Sequence, residues 1–324
     1  MTQEKPSVLA LNGGSSSIRF ALYQAGDPPR RSLYGKVDRV GSPGTTLTFD
    51  DPVRTQRDAR GIGDLDHRAA ADFLIDWLER QIGLGSISAV GHRLVNGGAK
   101  YREPQRVTTQ LLDALRGISA YAPEHLPFEI ALIDLIRERA PGLPQVVCFD
   151  PAFHRDMPRV ATIVPIPRRF NANGVERYGF HGLSYAFLME ELARVAGAQA
   201  AQGRVILAHL GNGSSLAAVH GGTSIDTSMG FTPAAGVPMS TRSGDLDPGL
   251  IWYLASINVG ALTRAPGTNR GNAPPEPASL AKNRSIEPPH PTSVRRRVSV
   301  PPRAHLIRSS GRFVPVGAGA PLAG

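Results

Sequence analysis

VLALNGGSSSIRFAL, residues 8–22, decides how this chain begins to fold. Apolar and β-prone residues flank two glycines and three serines, the pattern of strand, tight turn and strand. Gly13 and Gly14 admit backbone angles that other residues resist. A plain hairpin needs nothing more, since serine is an ordinary turn residue. Yet three successive hydroxyls stand where a two-residue turn favours Asn-Gly or Asp-Gly, so the stretch equally suits a cradle for an anion. Residues 8–22 alone leave both readings open.

A second stretch weighs between them. VILAHLGNGSSLAAV, 205–219, repeats the order of apolar strand, Gly/Asn turn, serine pair and apolar strand. Two such hairpins, each heading its own α/β segment, point to two related domains. The boundaries expected are 1–150 and 151–258. Backbone N–H groups and hydroxyls at the two turns would then meet a polyphosphate from both sides.

The intervening pattern is consistent with that plan. Strands are expected near 8–11, 18–23, 32–40 and 45–49. DLDHRAAADFLIDWLERQIG, 64–83, places Leu65, Ala69, Phe73, Leu74, Trp77, Leu78 and Ile82 at helical spacing. Further helices are expected over 108–120, 128–139 and 184–195, and strands at 146–149, near 160–164 and at 205–210. Strands followed by strands alternating with helices indicate an α/β fold with mixed sheets.

Composition narrows the class. A chain of 324 residues is long enough for two cores. Cys148 is the only cysteine, which excludes an internal disulfide and suits a reducing cytosol. No apolar run approaches the roughly 20 residues of a membrane span, and the apolar run at 8–11 is too short for a signal-peptide core. A cytoplasmic protein with no membrane partner is expected. The net charge of +9 invites a nucleic-acid reading. Residues 259–324, however, hold nine Arg and one Lys against two Glu, so residues 1–258 carry only +1. No nucleic-acid partner is expected of that part. The last 66 residues also contain 11 Pro and few large apolar groups, a composition expected to stay disordered.

Four stretches carry candidate chemistry. GHRLVNGGAKY, 91–101, sets Arg93 between a strand and a Gly-Gly loop that lets a ligand approach. Surface arginines are ordinarily just solvated, and the glycines are what favour function here. FDPAFH, 149–154, puts Asp150 at the end of an apolar strand, where α/β sheets meet ligands, though a carboxylate there also caps turns. RYGFHGLSY, 177–185, frames His181 with glycines, an unusual setting for a core histidine. TSMGFTPAAGVPMSTRSGDLDPG, 227–249, is a polar loop of binding-segment length holding Arg242.

Taken together, NGGSSSIRF, GHRLVNGG, FDPAFH, YGFHGLS, HLGNGSS and DTSMGFTPAAG…TRSGDLDP resemble the acetate kinase family in motif order over about three quarters of the chain. That resemblance implies the duplicated ribonuclease H-like fold of the actin-like and sugar-kinase superfamily. It also implies phosphoryl transfer between ATP and acetate, propionate or another short carboxylate, with Mg²⁺ as cofactor. On this resemblance Asn12 holds the metal, and Arg93 and Arg242 bind the carboxylate and the transferring phosphoryl group. Asp150, His181 and His125 complete the catalytic set. Val95, Phe180 and Pro233 line the acyl pocket. Ser15, Ser17 and Arg19 in the first hairpin and His209, Leu210, Gly211, Asn212 and Gly213 in the second meet the nucleotide.

The departures are Arg19 for a usual Lys, Glu124 for Leu beside the acyl pocket, and Tyr185 for a second His. The resemblance also stops near Ser256. The abrupt passage into Arg/Pro-rich sequence is what truncation or a frameshift in a GC-rich gene would produce, leaving an incomplete second domain and losing the family's dimer interface. Three activities follow as expectations: an acetate or propionate kinase, a catalytically dead remnant of one, and a butyrate kinase-like enzyme.

Overall fold

Gly14 N–H donates to Ser17 O over 2.7 Å and closes a hairpin between β1 (Ser7–Gly13) and β2 (Ser17–Gln24). The computed structural model describes residues 6–257, which fall into two compact units meeting at 244/245. The expectation of a disordered tail lies outside the described residues.

β3 (Arg30–Asp38), β4 (Thr45–Asp51) and β5 (Gln56–Gly63) extend the hairpin as an antiparallel meander. β5 was not among the expected strands. Its QRDARGIG sequence has no apolar alternation, because an edge strand with both faces largely wet needs none. β6 (Ala89–Leu94) then adds parallel to β1, and β8 (Gln145–Phe149) parallel to β6. The two-residue β7 (Gln105–Arg106) closes the far edge, giving the order β5-β4-β3-β2-β1-β6-β8-β7. The sheet is mixed, as the sequence order implied.

Parallel neighbours need crossovers, and helices supply them. α1 (His67–Ile82) starts where Asp66 accepts from Ala69 N–H and ends at Gly83. α2 (Thr109–Gly117) is capped by Thr108, and α3 (Leu126–Arg139) follows a 3-10 turn at Ser119–Tyr121. Along β1, Leu9 and Leu11 are buried against these helices, whereas Ala10 and Asn12 face the other way. Phe20, Phe49 and Trp77 centre this core, the Trp77 ring lying 5.4 Å from Phe20 and 4.8 Å from Phe49.

After β8 come a 3-10 turn (Asp150–His154), α4 (Arg159–Thr162) and α5 (Arg168–Ala172). The strand expected near 160–164 is therefore a helical turn. VATIV is β-branched, but Pro158 opens a turn there and Val160 is 85 % exposed, so the residues have no sheet to join. α6 (Gly182–Ala196) and α7 (Ala198–Ala201) lead to β9 (Arg204–Leu210), β10 (Ser214–His220) and β11 (Thr223–Thr227), an antiparallel sheet. Tyr185, Leu188 and Leu192 of α6 bury against Leu207, Ala217 and Val219 of that sheet. The second unit contributes α8 (Pro248–Ile257).

Among the described residues no helix is long and apolar enough to cross a membrane. Trp77→Ala should cost about 3–5 kcal/mol, because it empties the space between two rings and the sheet. Urea unfolding followed by circular dichroism measures this, and a loss under 1 kcal/mol would contradict the packing described.

Candidate active site

The register of the large sheet assembles the first part of the site. Asn12 pairs with Arg19 on one side and with Arg93 on the other, and Arg93 pairs with Cys148. Residues opposite one another in a sheet share a face, so Asn12, Arg19 and Arg93 form one row. A groove of about 500 Å³ runs along this face, with Asn12, Arg19, Arg93 and Cys148 among its lining.

Arg93 is held by two carboxylates. Its Nε and Nη2 donate to Asp150 at 3.1 and 2.6 Å, and its Nη1 donates to Glu129 at 2.9 Å. The Asp150 and Glu129 side chains are 4 % and 1 % exposed. The second Glu129 oxygen accepts the Val95 N–H. Burial pushes the Glu129 carboxyl up to about 7, although Arg93 pulls the other way. Asp150 sits where β8 ends, and Arg93 near the end of the parallel neighbour β6. Two adjacent parallel strands thus deliver an arginine and its carboxylate to one point.

His181 occupies the left-handed region at φ 61°, one residue before α6. This conformation is uncommon for a side chain larger than glycine. The next residue cannot carry one at all, since a Cβ at Gly182 would lie 2.0 Å from Asp150 O. That contact locks the α6 start onto the Asp150 turn. His181 Nδ1 bonds Ser215 Oγ at 2.8 Å, and the Tyr185 hydroxyl meets the same Oγ at 2.5 Å. Ser215 Oγ can donate to Nδ1 while accepting from Tyr185, an arrangement that leaves the proton of the neutral imidazole on Nε2. Burial, with neighbouring His209 adding to it, depresses His181 to about 3, so the ring is neutral.

The second hairpin turn, 211–213, stands against these groups. A Cβ at Gly213 would lie 3.0 Å from Arg242 Nη1 and 3.3 Å from His181 Nε2, so both side chains converge on the turn and glycine makes room. The His209 ring stacks on His181 at 3.9 Å and bonds Ser184 through Nδ1. Arg242 Nη1 donates to Pro233 O at 3.0 Å. Burial lowers Arg242, with the positive charge of Arg93 acting in the same direction and Glu124 opposing.

The remaining candidates divide. His125 precedes α3, and burial and the two arginines push its pKa down. Val95 and Phe180 are buried in one apolar cluster with Leu94 and Phe149. Pro233 touches the site through its carbonyl, which accepts from Arg242. Ser15 and Arg19 are exposed and Ser17 half-exposed on the first hairpin; His67 Nε2 reaches Ser15 O. Leu210 is exposed, and Asn212 O accepts from Ser240 Oγ. Among the described residues no group of three or more His, Cys, Asp or Glu could hold a metal by itself. The exposed Asn12 amide fits Mg²⁺ only as one oxygen donor beside a ligand's phosphates and water, the usual habit of that ion.

Three contributors were not assigned to the site from the sequence. Ser215 had a signal in the serine pair of the second hairpin, and Tyr185 was noted only as a departure. Glu129 had a fainter one: it is a carboxylate on the apolar face of FEIALI, where a charge needs a partner.

With this geometry in hand, the chain can be set beside known proteins. Residues 7–263 match the Acetokinase family. An acetate kinase of Rhodopseudomonas palustris is 42 % identical over 250 residues, covering 76 % of this chain and 63 % of that protein. A propionate kinase structure from Francisella tularensis superposes with a TM-score of 0.71 at 34 % identity, covering 79 % of this chain and 65 % of its own. For the Porphyromonas gingivalis acetate kinase the TM-score is 0.67 at 33 % identity, with 78 % and 65 % covered. The chain therefore spans just under two thirds of the length of these relatives.

Burial also makes stability depend on pH. His92 and His154 are held at about 4 and His181 at about 3, all by desolvation. Their folded values lie below the unfolded one near 6.5, so their contribution is complete above 6.5 and is lost on acidification. Glu129 works oppositely, losing stability as pH rises from 4.5 to about 7. From pH 7 to pH 5 the three histidines cost about 2 kcal/mol each and Glu129 offsets about 2 kcal/mol, a net loss of roughly 4 kcal/mol. Urea titrations at the two pH values measure it, and equal stabilities would refute the buried neutral histidines.

Proposed function

The chain belongs to the acetokinase family, and we propose on that premise that it transfers the γ-phosphoryl group of ATP to acetate or propionate. The products are the acyl phosphate and ADP, and the reaction is reversible. One observation supports this above the others: Arg242 Nη1 and neutral His181 Nε2 converge on Gly213, within the field of Arg93 and Asp150. A site with two cations and one neutral N–H donor suits an anion meeting another anion.

Phosphoryl transfer proceeds through a loose transition state whose charge spreads over three oxygens. Catalysis is then chiefly positioning and preorganised electrostatics. In this reading Arg93 binds the substrate carboxylate while Asp150 fixes its plane. Arg242 offsets the repulsion between carboxylate and phosphate, and His181 donates to an equatorial oxygen through Nε2. His125, neutral at working pH, flanks the same space. The carboxylate is already a nucleophile, so no strong general base is required. Val95, Phe180 and Pro233 bound the acyl end, and the hairpins 12–19 and 209–213 approach the nucleotide. Mg²⁺ would be held by Asn12 and would neutralise phosphate charge when bound. As part of the same proposal, the protein works in the cytoplasm.

The Arg/Pro-rich residues after 263 fall outside the family match, and this favours a second reading, a family member without catalysis. A hydroxylamine-trap assay of the 324-residue chain with Mg-ATP and acetate separates the two. Hydroxamate above blank supports the kinase, whereas a folded chain giving none sinks it. In the active protein Arg242→Ala should lower turnover about 10³-fold or more, the scale of an arginine serving phosphoryl transfer. A loss below about fivefold would remove Arg242 from the site.

A further inference from the structure

Glu129 lies outside every motif that carries the family likeness, yet it is more deeply buried than the arginine it holds. Arg93 has five N–H groups. Asp150 takes two of them in a fork and Glu129 takes a third, while the second Glu129 oxygen is held by Val95 N–H. Two buried carboxylates thus share the one guanidinium of Arg93, so its charge is more than answered before an anion arrives. Protonating Glu129 removes the surplus most cheaply. Asp150 would lose a bidentate fork, whereas Glu129 gives up one bond and keeps its backbone partner.

We propose that Glu129 is a positioning residue for Arg93: ionised, it holds Nη1, and on taking one proton from solvent as the anion binds it releases Nη1 to the substrate carboxylate. The inference rests on the reading of Arg93 as the carboxylate-binding group.

The surroundings isolate the effect. Arg93 faces Glu129 from β6, Asp150 from the turn after β8, and His125 from the start of its own helix. β1 brings Gly13, which is uncharged, and α1 brings His67, which packs on Phe128 with its Nε2 on Ser15 O. His125, His181 and His209 are all pushed below the ordinary histidine value, chiefly by burial, whereas Glu129 is pushed up to about 7. A titration near neutrality at this site therefore belongs to Glu129.

Acetate is the probe, since it stays ionised from pH 6 to 8.5. Its binding to the full chain is measured by calorimetry in buffers of different ionisation heat. For the wild type the dissociation constant should rise about tenfold per pH unit above 7, with uptake of about one proton. Glu129→Gln presents a neutral amide and should bind acetate at all pH values as the wild type does at pH 6. A flat wild-type profile, a slope surviving in Glu129→Gln, or uniform weakening in that variant would each overturn the proposal. Should the variant fail to fold, the wild-type slope and the ¹³C carboxyl titration of Glu129 decide. A midpoint near 7 that rises in Arg93→Gln supports the coupling, and one near 4.5 overturns it. Absence of acetate binding at pH 6 together with such a coupled titration would overturn the substrate reading while leaving the Glu129–Arg93 link standing.

Discussion

The fork between Arg93 and Asp150 is the constraint around which the site is arranged. A guanidinium can be kept in a partly buried position only if its charge is answered and its hydrogens are satisfied. Asp150 does both from the adjoining parallel strand, and the same residue's carbonyl sets the closest approach of Gly182. One turn therefore fixes the arginine through its carboxylate and the start of α6, with His181, through its backbone. A substitution that shifted this turn would displace both halves of the site together.

Much of this was legible in the sequence, for definable reasons. The first hairpin could be read from 8–22 because glycine and serine interrupt apolar runs sharply, and the second because it repeats that pattern. Arg93, Asp150 and His181 stood out because glycines or a strand end framed them. The edge strand β5 and the helical turn at 159–162 were missed for a common reason. Local composition speaks of burial and branching, and neither segment takes its conformation from a buried face. Glu129 was missed because its importance comes from a partner 36 residues away, a relation that helical periodicity does not reveal.

The two hairpins also show how one sequence device serves two surroundings. In the first, Gly14–Ser16 joins strands of a large mixed sheet, Ser15 and Ser16 are exposed, and His67 at the start of α1 bonds the Ser15 carbonyl. In the second, Gly211–Gly213 is pressed against a histidine and an arginine, and its glycine at 213 is a matter of room. Both turns are nonetheless limited by room: a Cβ at Gly13 would lie 3.1 Å from the Phe128 ring, as one at Gly213 would lie 3.0 Å from Arg242, and neither glycine has a left-handed φ.

The borders of the eight-stranded sheet have a consequence of their own. Any outermost strand exposes unused backbone donors and acceptors, a ready template on which another chain can polymerise. Here one border, β5, bristles with Arg57, Asp58 and Arg60, and the opposite border, β7, is only two residues long. A foreign strand would meet charge at one side and too short a ladder at the other. Fibre-like growth through this sheet is thereby discouraged at both ends, and a protein this rich in strands can be concentrated without that route to self-association.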